Sequence, residues 1–175
     1  MLKEAFKTFV TNIPFYGYAV LCIDHPEVQA LAAQITDRKI ITYGYNPQAD
    51  IRAENLRVTG MGTTFDVTFA EDSSTLKDIY LPMLGRHNVQ NSLVALAVAK
   101  QMGVAPPIMK KGMESFTGVK RRFTKTGEVN NVTIIDDYAH HPVEIATILE
   151  TARTAVKESG GNVIAVMQPL SLIHI

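Results

Sequence analysis

The chain has 175 residues, 46% of them hydrophobic, and a mean hydropathy of +0.06, which is the composition of an ordinary globular protein. Seventeen basic residues balance 17 acidic ones, so no overall charge recruits nucleic acid or an anionic membrane. Apolar runs such as Tyr18–Ile23 are too short to span a bilayer. Cys22 is the only cysteine, which excludes an intramolecular disulfide and fits the reducing cytoplasm where we expect this protein.

The first part of the chain alternates helix and strand signals. Apolar residues three and four apart predict an amphipathic helix over Leu2–Val10. A buried strand is predicted at Tyr18–Ile23, and Asp24 is expected to cap the following helix, which extends to about Ala33. Another short strand is predicted at Ile40–Tyr43.

The middle of the chain begins with strand signals and continues with helix signals. Three runs of strand-forming residues separated by turn residues predict a β-meander, at Ile51–Val58, Thr63–Ala70 and Leu76–Leu81. A long helix is then predicted from about His87 to Met102. A shorter helix that starts at Pro106 is expected to end near Gly118.

A second α/β unit is predicted after Gly118. The expected elements are a strand, a second strand, a helix and a third strand, at Phe123–Thr126, Val132–Asp136, Pro142–Lys157 and Val163–Met167. A strand, a helix and a strand in that order imply a right-handed parallel crossover. We therefore place a domain boundary near Gly118.

Polar side chains crowd the start of the long helix. Asn88 and Asn91 are three residues apart and share one helix face, and an amide offers the donor and acceptor that match an adenine edge. The plainer alternative is that Asn88 caps the helix while Asn91 faces water. Spacing alone favours this alternative.

A basic run, Lys120–Arg122, lies at the predicted boundary. Arginine forks suit phosphate oxygens, and a cation at this junction would reach a nucleotide bound to the first domain. For three basic residues alone, a solvated charge run that closes a linker is the stronger interpretation.

A third polar cluster follows the strand that ends near Asp136. Ligands of open α/β sheets bind beyond the carboxyl ends of strands, where Asp137 is expected, and a carboxylate there can accept ribose hydroxyls. The adjacent His140 and His141 could donate to a phosphate or carboxylate, whereas no second His/Cys pair completes a zinc pattern. The alternative that Asp136 or Asp137 caps the next helix stays open.

Neither of the common phosphate-binding loops occurs in the chain. The sequence contains no G-x-x-x-x-G-K-[ST] and no G-x-G-x-x-G, and we interpret Gly60-Met61-Gly62 as a turn between strands. The residues by themselves therefore predict an α/β protein with a candidate nucleotide-edge site but without a phosphate cradle.

Taken in order, these segments resemble the Mur ligase family. Five segments carry the resemblance, at residues 12–17, 49–55, 85–93, 118–123 and 136–142. The resemblance covers about residues 1–169 and implies an α/β chain. It implies that residues 1–118 are the latter half of a central ATP-binding domain and that residues 119–175 open a Rossmann-like C-terminal domain. Residues from 170 onward are atypical of the family.

The resemblance also implies an activity. Within the family it is to the ligases that use ATP and Mg²⁺ to join L-alanine to UDP-N-acetylmuramate through an acyl phosphate. This implies those two substrates as partners, without nucleic acid or membrane. The alternatives are a relative that attaches a preformed tripeptide to the same UDP-sugar, and a non-catalytic nucleotide-binding module. The family's P-loop lysine, magnesium-binding glutamate and catalytic histidine find no match here, so we expect a fragment that is inactive alone.

Site residues follow from the resemblance position by position. The implied ATP-binding residues are Asn88, Asn91, Arg122 and Asp137. The two asparagines hold the adenine side, the arginine meets the nucleotide from the neighbouring domain, and the aspartate meets the ribose. Tyr138 and His140 would face the reacting carboxylate and the amino acid, and His87 is interpreted as structural. No catalytic or metal-binding residue is assigned within the chain.

Overall fold

The computed structural model describes residues 2–59, 61–157 and 160–168. The elements in chain order are α1 Leu2–Thr11, β1 Tyr18–Cys22, α2 Pro26–Ala33, β2 Lys39–Gly44, β3 Ile51–Thr59, β4 Gly62–Phe69, β5 Ser74–Leu81, α3 Arg86–Gln101, α4 Pro106–Glu114, β6 Thr124–Val129, β7 Val132–Asp136 and α5 Pro142–Val156. The predicted α/β class is confirmed, and the predicted elements as far as α5 are found with shifts of a few residues at their ends. None of the helices in the described residues is long and apolar enough to cross a membrane.

The larger sheet is mixed, with the strand order β1-β2-β3-β4-β5. β1, β2 and β3 are parallel, and β2 pairs with β3 only at Tyr43↔Ile51 and Gly44↔Arg52. β3, β4 and β5 form the predicted antiparallel meander. Gly60, in the turn predicted between β3 and β4, lies outside the described residues.

The core lies between this sheet and α3. Its largest fully buried side chains come from β4, β5 and α3, and are Phe65, Val67, Ile79, Leu81, Val89, Leu93 and Leu96. Val89, Leu93 and Leu96 recur at helical spacing, so their burial decides which face of α3 points to the sheet. The opposite face, with Asn91 and Ala95, is exposed.

Asp24 joins the strands to α3 and does not cap α2, so that prediction is wrong. The N-cap of α2 is His25, whose side chain accepts a backbone N–H. The Asp24 carboxylate accepts the backbone N–H groups of Tyr45 and Asn46, each at 2.8 Å, and also the side-chain amide of Gln90. The chain segments after β1 and β2 are thereby fastened to the second turn of α3.

The smaller sheet is the antiparallel hairpin of β6 and β7. Its turn residues Asn130 and Asn131 have φ of 50° and 63°, as a type I′ turn requires. α5 follows with His141 as its N-cap. The His141 ring accepts a backbone N–H of the first turn, and Glu144 accepts the backbone N–H of His141. The alternative that an aspartate caps α5 is therefore wrong.

The strand predicted at Val163–Met167 is not formed, and with it the predicted parallel crossover is wrong. These residues have no regular structure, and Ile164 and Val166 are 87% and 94% exposed. A continuous apolar run is typical of a strand buried on both faces of a parallel sheet. In residues 119–157 and 160–168, β6 and β7 are the only strands. This hairpin is too small to cover either face of a strand at Val163–Met167. The boundary at Gly118 falls between the two sheets and stays a prediction, and residues 170–175 lie outside the described residues.

Candidate functional site

A cavity of about 800 Å³ lies between α3, α4 and the chain segment that follows α4. The polar residues of its lining are His87, Asn88, Asn91, Ser92 and Arg122. Most of the other lining residues are apolar, among them Met109, Met113 and Phe116. A concave, largely apolar cavity with a few convergent polar groups is the usual form of a small-molecule site.

Asn88 is buried within this cavity wall and does not cap α3. The N-cap is Gly85, whose φ of 97° suits glycine and which supplies no side-chain capping bond. Asn88 is 7% exposed, and its Nδ2 donates to the Leu84 carbonyl at 2.7 Å. The capping alternative is therefore wrong, and the backbone holds the amide of Asn88 in a fixed orientation at the cavity.

Asn91 lies nearly one turn further along α3 and lines the same cavity, as a shared helix face predicts. Its side chain is exposed, unlike that of Asn88. Ser92 and Ala95 continue the lining, and their small side chains leave room between α3 and α4.

The basic run has two differently placed arginines. Arg122 lines the cavity and lies close enough to His87 to lower the pKa of that imidazole. Arg121 is directed elsewhere, with its Nε 3.6 Å from Asp136 Oδ2 and its guanidinium 4.8 Å from the centre of the Tyr138 ring. Both arginines are exposed, so the interpretation of the run as solvated stays open beside the position of Arg122 in the cavity lining.

Asp137 follows β7 directly, as predicted, and its carboxylate is bound by backbone. Oδ2 accepts the N–H of Phe123, and Oδ1 accepts the N–H of Ala139, both at 2.7 Å. Each carboxylate oxygen keeps a lone pair, so a ligand hydroxyl could still donate to it. The charge of Asp137 also acts on His87 and raises the pKa of its imidazole.

His87, which the sequence leads us to interpret as structural, also lines the cavity. Its buried Nδ1 has no hydrogen-bond partner among the described residues. Burial is the largest influence on its pKa and lowers it. Arg122 adds to this and Asp137 opposes it, and the net pKa is below the ordinary 6.5. The ring is therefore mostly neutral at pH 7. Its spacing of four from Asn91 on one helix is the signal that could have identified it.

Tyr138 and His140 lie beside each other at the start of α5 but do not line the cavity. Their rings meet edge to face with centroids 5.1 Å apart, and His140 Nδ1 is 3.7 Å from Glu144 Oε2. The structure thus brings Asn88, Asn91 and Arg122 together, with His87 among them. In the part of the chain that the structure describes, no group of three His, Cys, Asp or Glu residues is placed to hold a metal ion.

Comparisons with known proteins agree with the motifs. The family model of the Mur ligase middle domain matches residues 2–99, and that of the Mur ligase glutamate ligase domain matches residues 121–171. The chain is 55% identical over 172 residues to the UDP-N-acetylmuramate–L-alanine ligases of Paramagnetospirillum magneticum and Maricaulis maris. Those alignments cover 96% and 97% of this chain, and the chain spans 36% of the length of each relative.

Solved structures with the same fold include two Mur ligases. The UDP-N-acetylmuramate-alanine ligase MurC of Thermotoga maritima superposes with a TM-score of 0.70 at 26% identity, over 89% of this chain and 34% of that one. MurF of Acinetobacter baumannii gives a TM-score of 0.73 at 23% identity, over 86% of this chain and 32% of that one, which is a likeness of fold. The resemblance that the five sequence segments indicate is thereby confirmed, and the chain belongs to the Mur ligase family.

Proposed function

We propose that this chain supplies the adenine-nucleotide site of an ATP-dependent ligase that joins L-alanine to UDP-N-acetylmuramate in peptidoglycan synthesis. One observation carries the proposal: Asn88 and Asn91 line one cavity together with Arg122, which is distant from them in sequence. The volume of about 800 Å³ lies within the range of about 300–1,000 Å³ for small-molecule sites. The two relatives named UDP-N-acetylmuramate–L-alanine ligase are 55% identical to the chain, which supports these two substrates.

Each residue has a role that its surroundings support. One N–H of the Asn88 amide donates to the Leu84 carbonyl, which orients the side chain, and its carbonyl oxygen can accept from the amino group of adenine. Asn91 is exposed and can turn to complete the pairing. The Arg122 fork suits phosphate oxygens, and Asp137 has lone pairs left for ribose hydroxyls.

When bound, ATP supplies the phosphoryl group that converts the carboxylate of the UDP-sugar into an acyl phosphate. The residues of this chain bind and orient the nucleotide, and Tyr138 and His140 face the reacting carboxylate and the amino acid. The reaction also uses Mg²⁺, for which we propose no ligand among the described residues. The balanced charge of the chain fits small-molecule partners and neither nucleic acid nor membrane. We place the reaction in the cytoplasm.

The experiment replaces the corresponding segment of the Paramagnetospirillum magneticum ligase with this chain. We expect the chimera to release ADP from ATP only when UDP-N-acetylmuramate and L-alanine are both present. Arg122→Ala in the chimera should raise KM for ATP by about 10- to 150-fold, which corresponds to one charge-assisted hydrogen bond of roughly 1.5–3 kcal/mol. Arg153→Ala is the matched control, because Arg153 is exposed on α5 away from the cavity.

Three outcomes separate the alternatives. Turnover with a preformed tripeptide in place of L-alanine would assign the chain to the tripeptide ligases. If a folded chimera bound ATP but did not turn it over, the chain would be a non-catalytic nucleotide-binding module. Equal KM values for the Arg122→Ala and Arg153→Ala chimeras would contradict the proposed nucleotide site.

A further inference from the structure

We propose that Asp137 and Arg121 are positioning residues, which hold the Arg122 side chain at the cavity by keeping the backbone on both sides of it in a left-handed conformation. The effect on nucleotide binding rests on the proposed function. The placement of the Arg122 side chain is independent of the proposed function, because this placement follows from contacts within the chain.

The backbone around Arg122 is unusual. Arg121 has φ of 59° and Phe123 has φ of 48°, so the residues on both sides of Arg122 are left-handed. This conformation is unfavourable for residues with a Cβ atom and persists only where the surrounding structure enforces it. The sequence places no glycine at either position.

The last residue of β7 and the segment after it supply the enforcing contacts. Asp137 Oδ2 accepts the N–H of Phe123 at 2.7 Å, and the N–H of Tyr138 donates to the Arg121 carbonyl at 2.9 Å. The Arg121 guanidinium lies against the Tyr138 ring, 4.8 Å from its centre, and its Nε is 3.6 Å from Asp136 Oδ2. Residues 136–138 therefore contact both neighbours of Arg122.

These contacts decide the direction of Arg122. Its own backbone N–H donates to Thr124 Oγ1 at 3.3 Å, and its side chain lines the cavity near His87. A left-handed residue reverses the course of the chain locally. If Arg121 and Phe123 relaxed to extended backbone, the direction of the side chain between them would change. Asp137 thus influences the cavity through Arg122, besides any direct contact with a ligand.

A double-mutant cycle separates positioning from direct contact. ADP is titrated calorimetrically into the 175-residue chain and into its Asp137→Asn, Arg122→Ala and doubly substituted variants. Asparagine has one acceptor oxygen, so one of the two backbone N–H groups loses its partner. We expect Asp137→Asn to weaken ADP binding about tenfold, and to weaken it clearly less in the Arg122→Ala background, where only the direct contact of Asp137 with the ribose is left to lose. Additive losses would overturn the proposal and assign Asp137 to the ligand directly.

A nuclear magnetic resonance measurement tests the placement without any nucleotide. In the unsubstituted chain we expect nuclear Overhauser contacts between the Arg122 side chain and residues that line the cavity. Asp137→Asn should shift the amide resonance of Phe123 and remove those contacts. Unchanged contacts would refute the proposal whatever ADP does, whereas their loss in a chain that binds no ADP would reject only the nucleotide site. Asp72→Asn is the control, since Asp72 also accepts a backbone N–H but lies in the turn before β5.

Discussion

The two asparagines of α3 provide a controlled comparison, because one substitution at two positions of one helix removes different interactions. Asn88 is 7% exposed and donates to the Leu84 carbonyl at 2.7 Å. Asn91 lines the same cavity but is exposed. We expect Asn88→Ala to reduce both stability and ADP affinity, and Asn91→Ala to reduce ADP affinity alone.

The size of the difference follows from these surroundings. Asn88→Ala leaves the Leu84 carbonyl without its donor, and an unsatisfied buried group costs about 1–3 kcal/mol. Alanine is the better helix former by up to about 0.7 kcal/mol, but this gain applies to both positions and cancels in the comparison. In a chain of this size, 1 kcal/mol shifts Tm by about 2–4 °C, so Asn88→Ala should melt about 2–12 °C below Asn91→Ala.

Thermal and urea unfolding followed by circular dichroism would measure stability, and calorimetric titration of ADP would measure affinity. If the two variants had equal Tm values, the bond from Asn88 to Leu84 would contribute nothing to stability. If Asn91→Ala left ADP affinity unchanged while Asn88→Ala lowered it, the shared helix face would not be a binding face.

Two further predictions concern stability. Gly85→Ala should lower Tm more than Gly103→Ala. Both glycines have positive φ, so both substitutions strain the backbone. A Cβ at Gly85 would also lie only 2.8 Å from Thr151 Oγ1, whereas a Cβ at Gly103 would meet nothing within 4 Å. Equal losses would contradict the close packing of α5 on Gly85. The second prediction concerns the Asp66 carboxylate. Burial raises its pKa, but the hydrogen bonds that it accepts, above all from the Asn55 amide, lower the pKa more, so that the net pKa lies below 3.8. The carboxylate therefore stabilises the fold above pH 3.8, and this contribution is lost as the pH falls through the lowered pKa. Urea midpoints between about pH 5 and pH 2 should fall less steeply in Asp66→Asn, and equal slopes would contradict this.

Elements with strong local signals could be predicted from the sequence. Proline in the first turn begins α4 and α5, and Gly103 follows the end of α3. The turn residues at 71–73 separate β4 from β5, as predicted. Such signals act over a few residues, because a backbone conformation or a capping bond needs only its neighbours in the chain.

Contacts between distant segments were decided by the tertiary structure. Asp24 and Asp137 each follow a strand and precede a helix, which favours capping by sequence, yet both carboxylates bind backbone N–H groups brought near by the fold. Asn88 and Arg122 became neighbours in one cavity only because the segment after α4 returns to the start of α3. The run at Val163–Met167 formed no strand, because no layer among the described residues around the β6–β7 hairpin covers both faces of such an apolar strand. A hydrogen bond depends on distance in space, and spacing along the chain does not determine that distance.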